Sequence, residues 1–149
     1  MKTFSIVVPV YYNALNIPQL IPRLQQLQES LPDYRLEFIF VDDGSGDDSF
    51  RLLAEARQQD ARIRVIKLSR NFGSMAAIQA GLHYAKGDCA GVIAADLQDP
   101  PELFLEMIRQ WEGGRRVVLG MREGRRDGAL RDMFSAVYYA LLRRFAIAD

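Results

Sequence analysis

Five short, almost uninterrupted apolar runs punctuate the chain, at residues 4–10, 36–41, 63–68, 89–94 and 117–121. Between them lie stretches whose apolar residues recur every three or four positions. Uninterrupted runs suit strands buried on both faces, whereas half-exposed strands alternate. Such strands in alternation with amphipathic helices predict an α/β fold, a Rossmann-like, mostly parallel sheet with helices on both faces. No repeat, low-complexity tract or Pro/Gly/Ser-rich linker interrupts the pattern, which predicts one domain over residues 1–149. A chain of 149 residues buries roughly 70% of its unfolded surface, enough for a core without covalent staples. Cys89 is the single cysteine, which excludes a disulfide framework and a Cys-based zinc cluster. It falls within an apolar run and is expected in the core. No run approaches the roughly 20 residues that span a bilayer, and the first residues lack a signal-peptide core, so a cytoplasmic protein is expected.

The helical stripes can be read individually. Ile17, Leu20, Ile21, Leu24 and Leu27 form one, with Asn16 and Gln19 resembling a capping box at its start. Phe104, Met107, Ile108 and Trp111 form another, begun by Asp99 as N-cap with Pro100 at the first helical position and stopped by Gly113 and Gly114. Ser45 with Asp48 reads as a further capping box. Gly73 followed by Ala76, Ala77, Ala80 and Gly81 predicts a helix packed closely on the sheet, with its N-terminus near the sheet's carboxyl edge. Leu130, Phe134, Tyr138, Leu141, Leu142 and Phe145 form the last stripe. His83 is expected on a helix surface.

In an open parallel sheet, ligands bind outside the carboxyl ends of the strands. Four polar loops leave those ends: 9–13, 42–45, 69–73 and 95–99. Acidic residues at adjacent strand ends concentrate negative charge, which a divalent cation compensates most simply. Asp96 and Gln98 offer oxygen donors with no His or Cys nearby, a set that suits Mg²⁺ or Mn²⁺. Asp42 and Asp43 also fit a plain turn, and Asp99 a plain helix cap.

With VPVY near the start, VDDGS after the second run, LSRNFG after the third and ADLQDPPE after the fourth, the chain resembles glycosyltransferase family 2 with the GT-A fold. The likeness is greatest to transferases that move sugars onto polyprenyl phosphates, and it runs through essentially the whole chain. It implies a nucleoside diphosphate sugar donor, a polyprenyl phosphate acceptor, and inversion at the anomeric carbon at the cytoplasmic membrane face. By the same resemblance Pro9 and Tyr11 flank the nucleotide base, with Asn13 beside the nucleotide, and Asp42 hydrogen-bonds the base. Ala95 and Asp96 lie against the nucleotide sugar and diphosphate, and Asp96 and Gln98 hold the metal. Arg122 meets the diphosphate or acceptor phosphate, while Arg70, Arg126 and Arg131 line the acceptor side.

Three departures accompany the likeness. Ala94 stands where the family places an Asp, and Asn13 where it places a Glu near the nucleotide. Related sequences continue with a further acceptor-side segment and often transmembrane helices, whereas this one stops at Asp149. A truncated or degenerate member is therefore expected, peripheral to or tethered at the membrane when full length, with little transfer from these residues alone. The alternative is a nucleotide-sugar-binding domain without turnover. A neutral overall charge hides a net of −4 over residues 1–114 and +4, all from arginine cations, over 115–149. That basic end suits an anionic membrane surface. Nucleic acid is not expected, because the cations are confined to one quarter and not interleaved with exposed aromatics. A dinucleotide-binding oxidoreductase, a third reading, is disfavoured because Pro9 and Tyr11 occupy the place of a GxGxxG turn.

Overall fold

The first four apolar runs become the strands of one fully parallel sheet in a computed structural model that describes residues 1–121. In chain order these are β1 (Lys2–Val10), α1 (Ile17–Ser30), β2 (Tyr34–Asp42), α2 (Ser49–Gln59), β3 (Ile63–Lys67), α3 (Ser74–Tyr84), β4 (Cys89–Val92) and α4 (Leu103–Glu112). The spatial order is β3-β2-β1-β4, with Val10 beside Asp42, Asp42 beside Lys67, and Val7 beside Val92.

Why the runs are uninterrupted is now plain. Phe4, Ile6, Val8 and Val10 of β1 and Leu36, Phe38 and Phe40 of β2 point to one face, where they pack with Leu20 and Leu24 of α1, Leu53 of α2 and Phe104 and Ile108 of α4. The intervening Val7, Ile39 and Val41 point to the other face and pack with Ala77 of α3. Both faces of β1 and β2 are covered, so both parities are mostly apolar, an exception being Ser5, whose hydroxyl is bonded to Glu37 at 2.7 Å. The small residues of α3 allow its close approach: a Cβ on Gly81 would collide with Val7 Cγ1 and stand 3.1 Å from Val41 Cγ2.

Four expectations are corrected. Residues 117–121 form no strand, and Val117 is 75% exposed. An apolar, β-branched run becomes a strand only where a neighbour pairs with it, and local sequence does not supply the neighbour. Asn16 makes no side-chain cap, because it is itself helical in backbone (φ −91°, ψ −31°) rather than extended as a cap requires. The Ser45–Asp48 box does not form either: α2 begins at Ser49, so Asp48 rather than Ser45 stands at the N-cap, and it makes no side-chain cap, its carboxylate being held by Arg51. The Asp99 start is three residues early. Two prolines set a tight turn in which Leu103 N–H donates to Pro100 O and Phe104 N–H to Pro101 O, and α4 begins at Leu103. The stripe from Leu130 to Phe145 lies outside the described residues. Among the described residues no helix is long and apolar enough to cross a membrane.

One ion pair makes the fold sensitive to acid. Asp60, at the end of α2, accepts bonds from Arg62 Nη2 at 2.7 Å and Gln25 Nε2 at 2.7 Å. The Arg62 bonds, against desolvation and with help from Gln25, lower its pKa from 3.8 to about 2. A carboxylate depressed in the folded state stabilises it above the unfolded pKa, and that stabilisation is lost as pH falls through the folded value. Urea midpoints should therefore drop between pH 4 and about 2, and Asp60→Asn should flatten that limb while lowering the midpoint at neutral pH.

Candidate functional site

The chain advances from β1 through β2 to β3 on one side, then places β4 on the other side of β1. The strand order reverses at the β1–β4 pair, and a crevice opens there at the carboxyl ends. The loops that follow β1, β2, β3 and β4 are the four singled out by sequence.

Three of them are braced together by side chains. Successive backbone N–H groups of the β1–α1 loop donate to the β2–α2 loop and the first residue of α2: Tyr12 to Ser45 Oγ at 3.1 Å, Asn13 to Ser49 Oγ at 3.0 Å, and Ala14 to Asp47 Oδ2 at 3.1 Å. Asn13 Oδ1 accepts the Tyr11 N–H at 3.0 Å, so this amide shapes its own loop. Ser45, which reads as a helix cap, is used to join loops instead. Asp43 reaches the third loop, accepting from Phe72 N–H at 2.8 Å and Gly73 N–H at 2.9 Å at the start of α3. Gly44 permits the crossing. Its φ is +71°, and a Cβ there would stand 2.6 Å from the Arg70 carbonyl carbon.

The adjacent acids of VDDGS thus have separate roles. Asp43 has both oxygens engaged and is structural. Asp42 is fully buried, its Oδ1 accepts the Ser45 N–H at 3.2 Å, and its Oδ2 has no hydrogen-bond partner among the described residues. An unpartnered buried carboxylate oxygen is unfavourable and marks a place where a donor is missing.

Pro9, Tyr11, Asn13, Ala95 and Asp96 come together around one cleft of about 260 Å³, with Val10, Asp43, Asn71, Gly73, Ser74 and Ala94 completing its lining. Asp42, Gln98 and Arg70 do not line it. Arg70 instead stacks its guanidinium over the Phe72 ring at 4.8 Å. Arg122, Arg126 and Arg131 lie outside the described residues. The N-terminus of α3 reaches the cleft through Gly73 and Ser74, as the small-residue pattern predicted. Ser74 itself carried no signal in sequence, and the bracing role of Asp43 could not be separated from that of Asp42 without the loop geometry.

Asp96 is exposed at the cleft, and its Oδ1 accepts the Gln98 N–H at 3.0 Å across Leu97, whose φ is +61°. Leu97 and Tyr12 (φ +54°) are the two left-handed non-glycine residues among the described residues, and each lies in a loop bounding the cleft. Strained backbone of this kind gathers at functional sites. No three His, Cys, Asp or Glu side chains converge on a metal position among the described residues. One carboxylate with a neighbouring amide fits a hard ion that draws its remaining ligands from phosphate and water, as Mg²⁺ does, rather than a protein cage. Burial pushes the Cys89 thiol up to about 11, so it offers no thiolate nucleophile.

A sequence profile described as "Glycosyl transferase family 2" matches residues 5–146. Among curated proteins, one named "Uncharacterized glycosyltransferase YkcC" from Bacillus subtilis is 44% identical over 140 residues, covering 93% of this chain and 43% of that protein. An undecaprenyl-phosphate 4-deoxy-4-formamido-L-arabinose transferase of Salmonella choleraesuis is 37% identical over 145 residues, covering 97% and 44%. The chain spans less than half the length of these relatives. Among solved structures, the mannosyltransferase PcManGT from Pyrobaculum calidifontis in complex with GDP-Man and Mn²⁺ superposes with a TM-score of 0.62 at 19% identity, covering 71% of this chain and 31% of that one. S. aureus TarS in complex with UDP-GlcNAc gives 0.60 at 21%, covering 83% and 39%. At these identities the structures show the fold, and it is the GT-A arrangement expected from sequence.

Proposed function

The chain belongs to glycosyl transferase family 2, and from that premise we propose that it serves transfer of a sugar from a nucleoside diphosphate sugar to a polyprenyl phosphate at the cytoplasmic face of a membrane, with inversion. What carries this is the convergence of Pro9, Tyr11, Ala95 and Asp96 on one cleft at the point where the strand order reverses. The relative named as an undecaprenyl-phosphate sugar transferase supports the acceptor class. The basic residues Arg122, Arg126 and Arg131 supply cations suited to phosphates and an anionic leaflet.

In this reading Pro9 and Tyr11 flank the base, and the unpartnered Oδ2 of Asp42 accepts an N–H from it. Ala95 lies against the nucleotide sugar, Asp96 against the diphosphate. Asp96 and Gln98 would hold Mg²⁺ or Mn²⁺, which supplies Lewis-acid stabilisation of the charge on the departing diphosphate. A phosphate acceptor is already anionic near neutral pH. Its oxygen attacks the anomeric carbon from the face opposite the diphosphate as the carbon–oxygen bond to the diphosphate breaks, and no general base is required. Arg122 adds positive charge where negative charge develops.

Ala94 favours a second reading, binding without turnover, because it lines the cleft with a methyl group where the family places a carboxylate. An assay with radiolabelled nucleotide sugar, Mn²⁺ and undecaprenyl phosphate in vesicles separates the two. Lipid-soluble label above an Asp96→Ala control supports transfer, whereas donor binding with no lipid product supports the second reading. Ala94→Asp should strengthen donor binding, since a hydrogen bond to a charged group contributes about 1.5–3 kcal/mol. Calorimetry should show it as roughly a 10- to 100-fold lower Kd, and a weaker variant would show a pocket adapted to alanine.

A further inference from the structure

Tyr12 has a left-handed backbone, with φ +54°. A bulky side chain keeps that conformation only where its surroundings impose it. Here the imposing contacts are visible. The Tyr12 N–H is held by Ser45 Oγ, and the next two N–H groups by Ser49 and Asp47. The phenol reaches across to Gly46, where a Cβ would stand 2.5 Å from Tyr12 Oη. Val10 and Asp42 are register partners, so both loops rise from a single point of the sheet edge. The Asp42 carboxylate sits at their root, without accessible surface, bonded through Oδ1 to the Ser45 N–H and unpartnered at Oδ2 among the described residues. Two unfavourable features, a left-handed tyrosine and a buried oxygen lacking a donor, are therefore linked through Ser45, which holds the Tyr12 N–H by its hydroxyl and Asp42 by its own N–H.

We propose that the Tyr12 loop is a gate over Asp42. Closed, it hides the carboxylate. Open, it releases Tyr12 from the left-handed region and presents Oδ2 to a ligand carrying a ring N–H, which on the function proposed above is the imide or amide edge of a nucleotide base. Tyr12 then acts as a positioning residue whose closed state lowers apparent affinity by the fraction of molecules that are open. The identity of the ligand rests on the proposed function, but the gate itself is a property of the free protein.

Carboxyl footprinting with a carbodiimide and glycinamide, read by tandem mass spectrometry, tests the gate without nucleotide. In the unmodified sequence Asp42 should react at least about ten times more slowly than the exposed Asp33. Asp43, with both oxygens engaged, should stay protected throughout and serve as the internal control. Tyr12→Gly accepts a left-handed backbone and removes the phenol, whereas Gly46→Ala displaces the phenol and leaves every hydrogen-bonding group in place. Each should raise the reactivity of Asp42 about tenfold, and in titrations with UDP and GDP each should tighten binding by a similar factor. Melting curves confirm that both variants fold. Unchanged Asp42 reactivity in both variants, or nucleotide binding weakened by both, overturns the gate. If Asp42 opens in both variants and neither nucleotide binds any of the three proteins, the gate stands and the nucleotide-sugar function falls.

Discussion

Replacing Asp96 by alanine should abolish the Mn²⁺-dependent part of nucleoside diphosphate binding and leave the fold almost untouched. Asp96 is the exposed carboxylate of the cleft, and no group of three ligating side chains stands in reserve among the described residues. With so few protein ligands proposed, losing the carboxylate leaves the ion to the neutral Gln98 amide and the diphosphate. A residue that merely orients a metal ligand is worth roughly 10- to 100-fold in affinity, so a direct ligand should exceed that. Stability responds differently. Substitution of an exposed side chain stays within about 0.5 kcal/mol, which at this chain length moves the melting temperature by only a few degrees. The bond that Asp96 accepts from the Gln98 N–H is itself at the surface. Calorimetry in Mn²⁺ and in chelator, alongside melting curves, checks both halves. A variant that retained the Mn²⁺ dependence would remove Asp96 from the metal.

The neighbouring acids Asp42 and Asp43 should fail in opposite ways. Asp43→Ala removes the buried carboxylate that accepts the Phe72 and Gly73 N–H groups, leaving Gly73 its second acceptor, Asn71 Oδ1 at 2.9 Å, and Phe72 none among the described residues. A hydrogen bond to a charged group contributes about 1.5–3 kcal/mol, and with one such bond lost outright and the other replaced by a neutral acceptor the loss should be about 3 kcal/mol. For a domain of this size that lowers the melting temperature by roughly 10 °C. Asp42→Asn should leave stability nearly unchanged, because the amide oxygen can still accept the Ser45 N–H and the buried charge is gone. Its amide nitrogen would instead meet the ring N–H of a base donor to donor. Nucleotide affinity should fall by about the value of one charge-assisted bond, 10- to 100-fold. If Asp42→Asn unfolded the protein while Asp43→Ala did not, the assignment of the two acids would be reversed.

How much of this was legible in the sequence follows from which interactions are local. The two central strands, β1 and β2, were legible because burial on both faces leaves mostly apolar residues at either parity, a property of each run by itself. Gly81 and Ala77 announced the close approach of α3 for a similar reason, since small residues in series have few other uses. The cleft residues were legible through their position after strands. Boundaries and caps were not. Asn16, Ser45 and Asp48 have the right types at the right spacing, yet the β1–α1 and β2–α2 loops draw Ser45 and its neighbours into bonds between segments more than 30 residues apart. The run at 117–121 failed for the complementary reason, because its apolar residues carry strand propensity but pairing depends on a partner. Asp42 and Asp43 are alike in type and adjacent in sequence. Only the distance from Asp43 to the third loop separates a brace from an unpartnered acceptor.

The most direct measurement is a calorimetric titration of the 149-residue chain with UDP-, GDP- and dTDP-sugars, each in Mn²⁺ and in excess EDTA. A donor cleft with Asp96 as its metal-binding carboxylate predicts saturable binding of at least one of the three in Mn²⁺, markedly weakened in EDTA. No binding of any of them at millimolar concentration, or equal affinity with and without the metal, would contradict it.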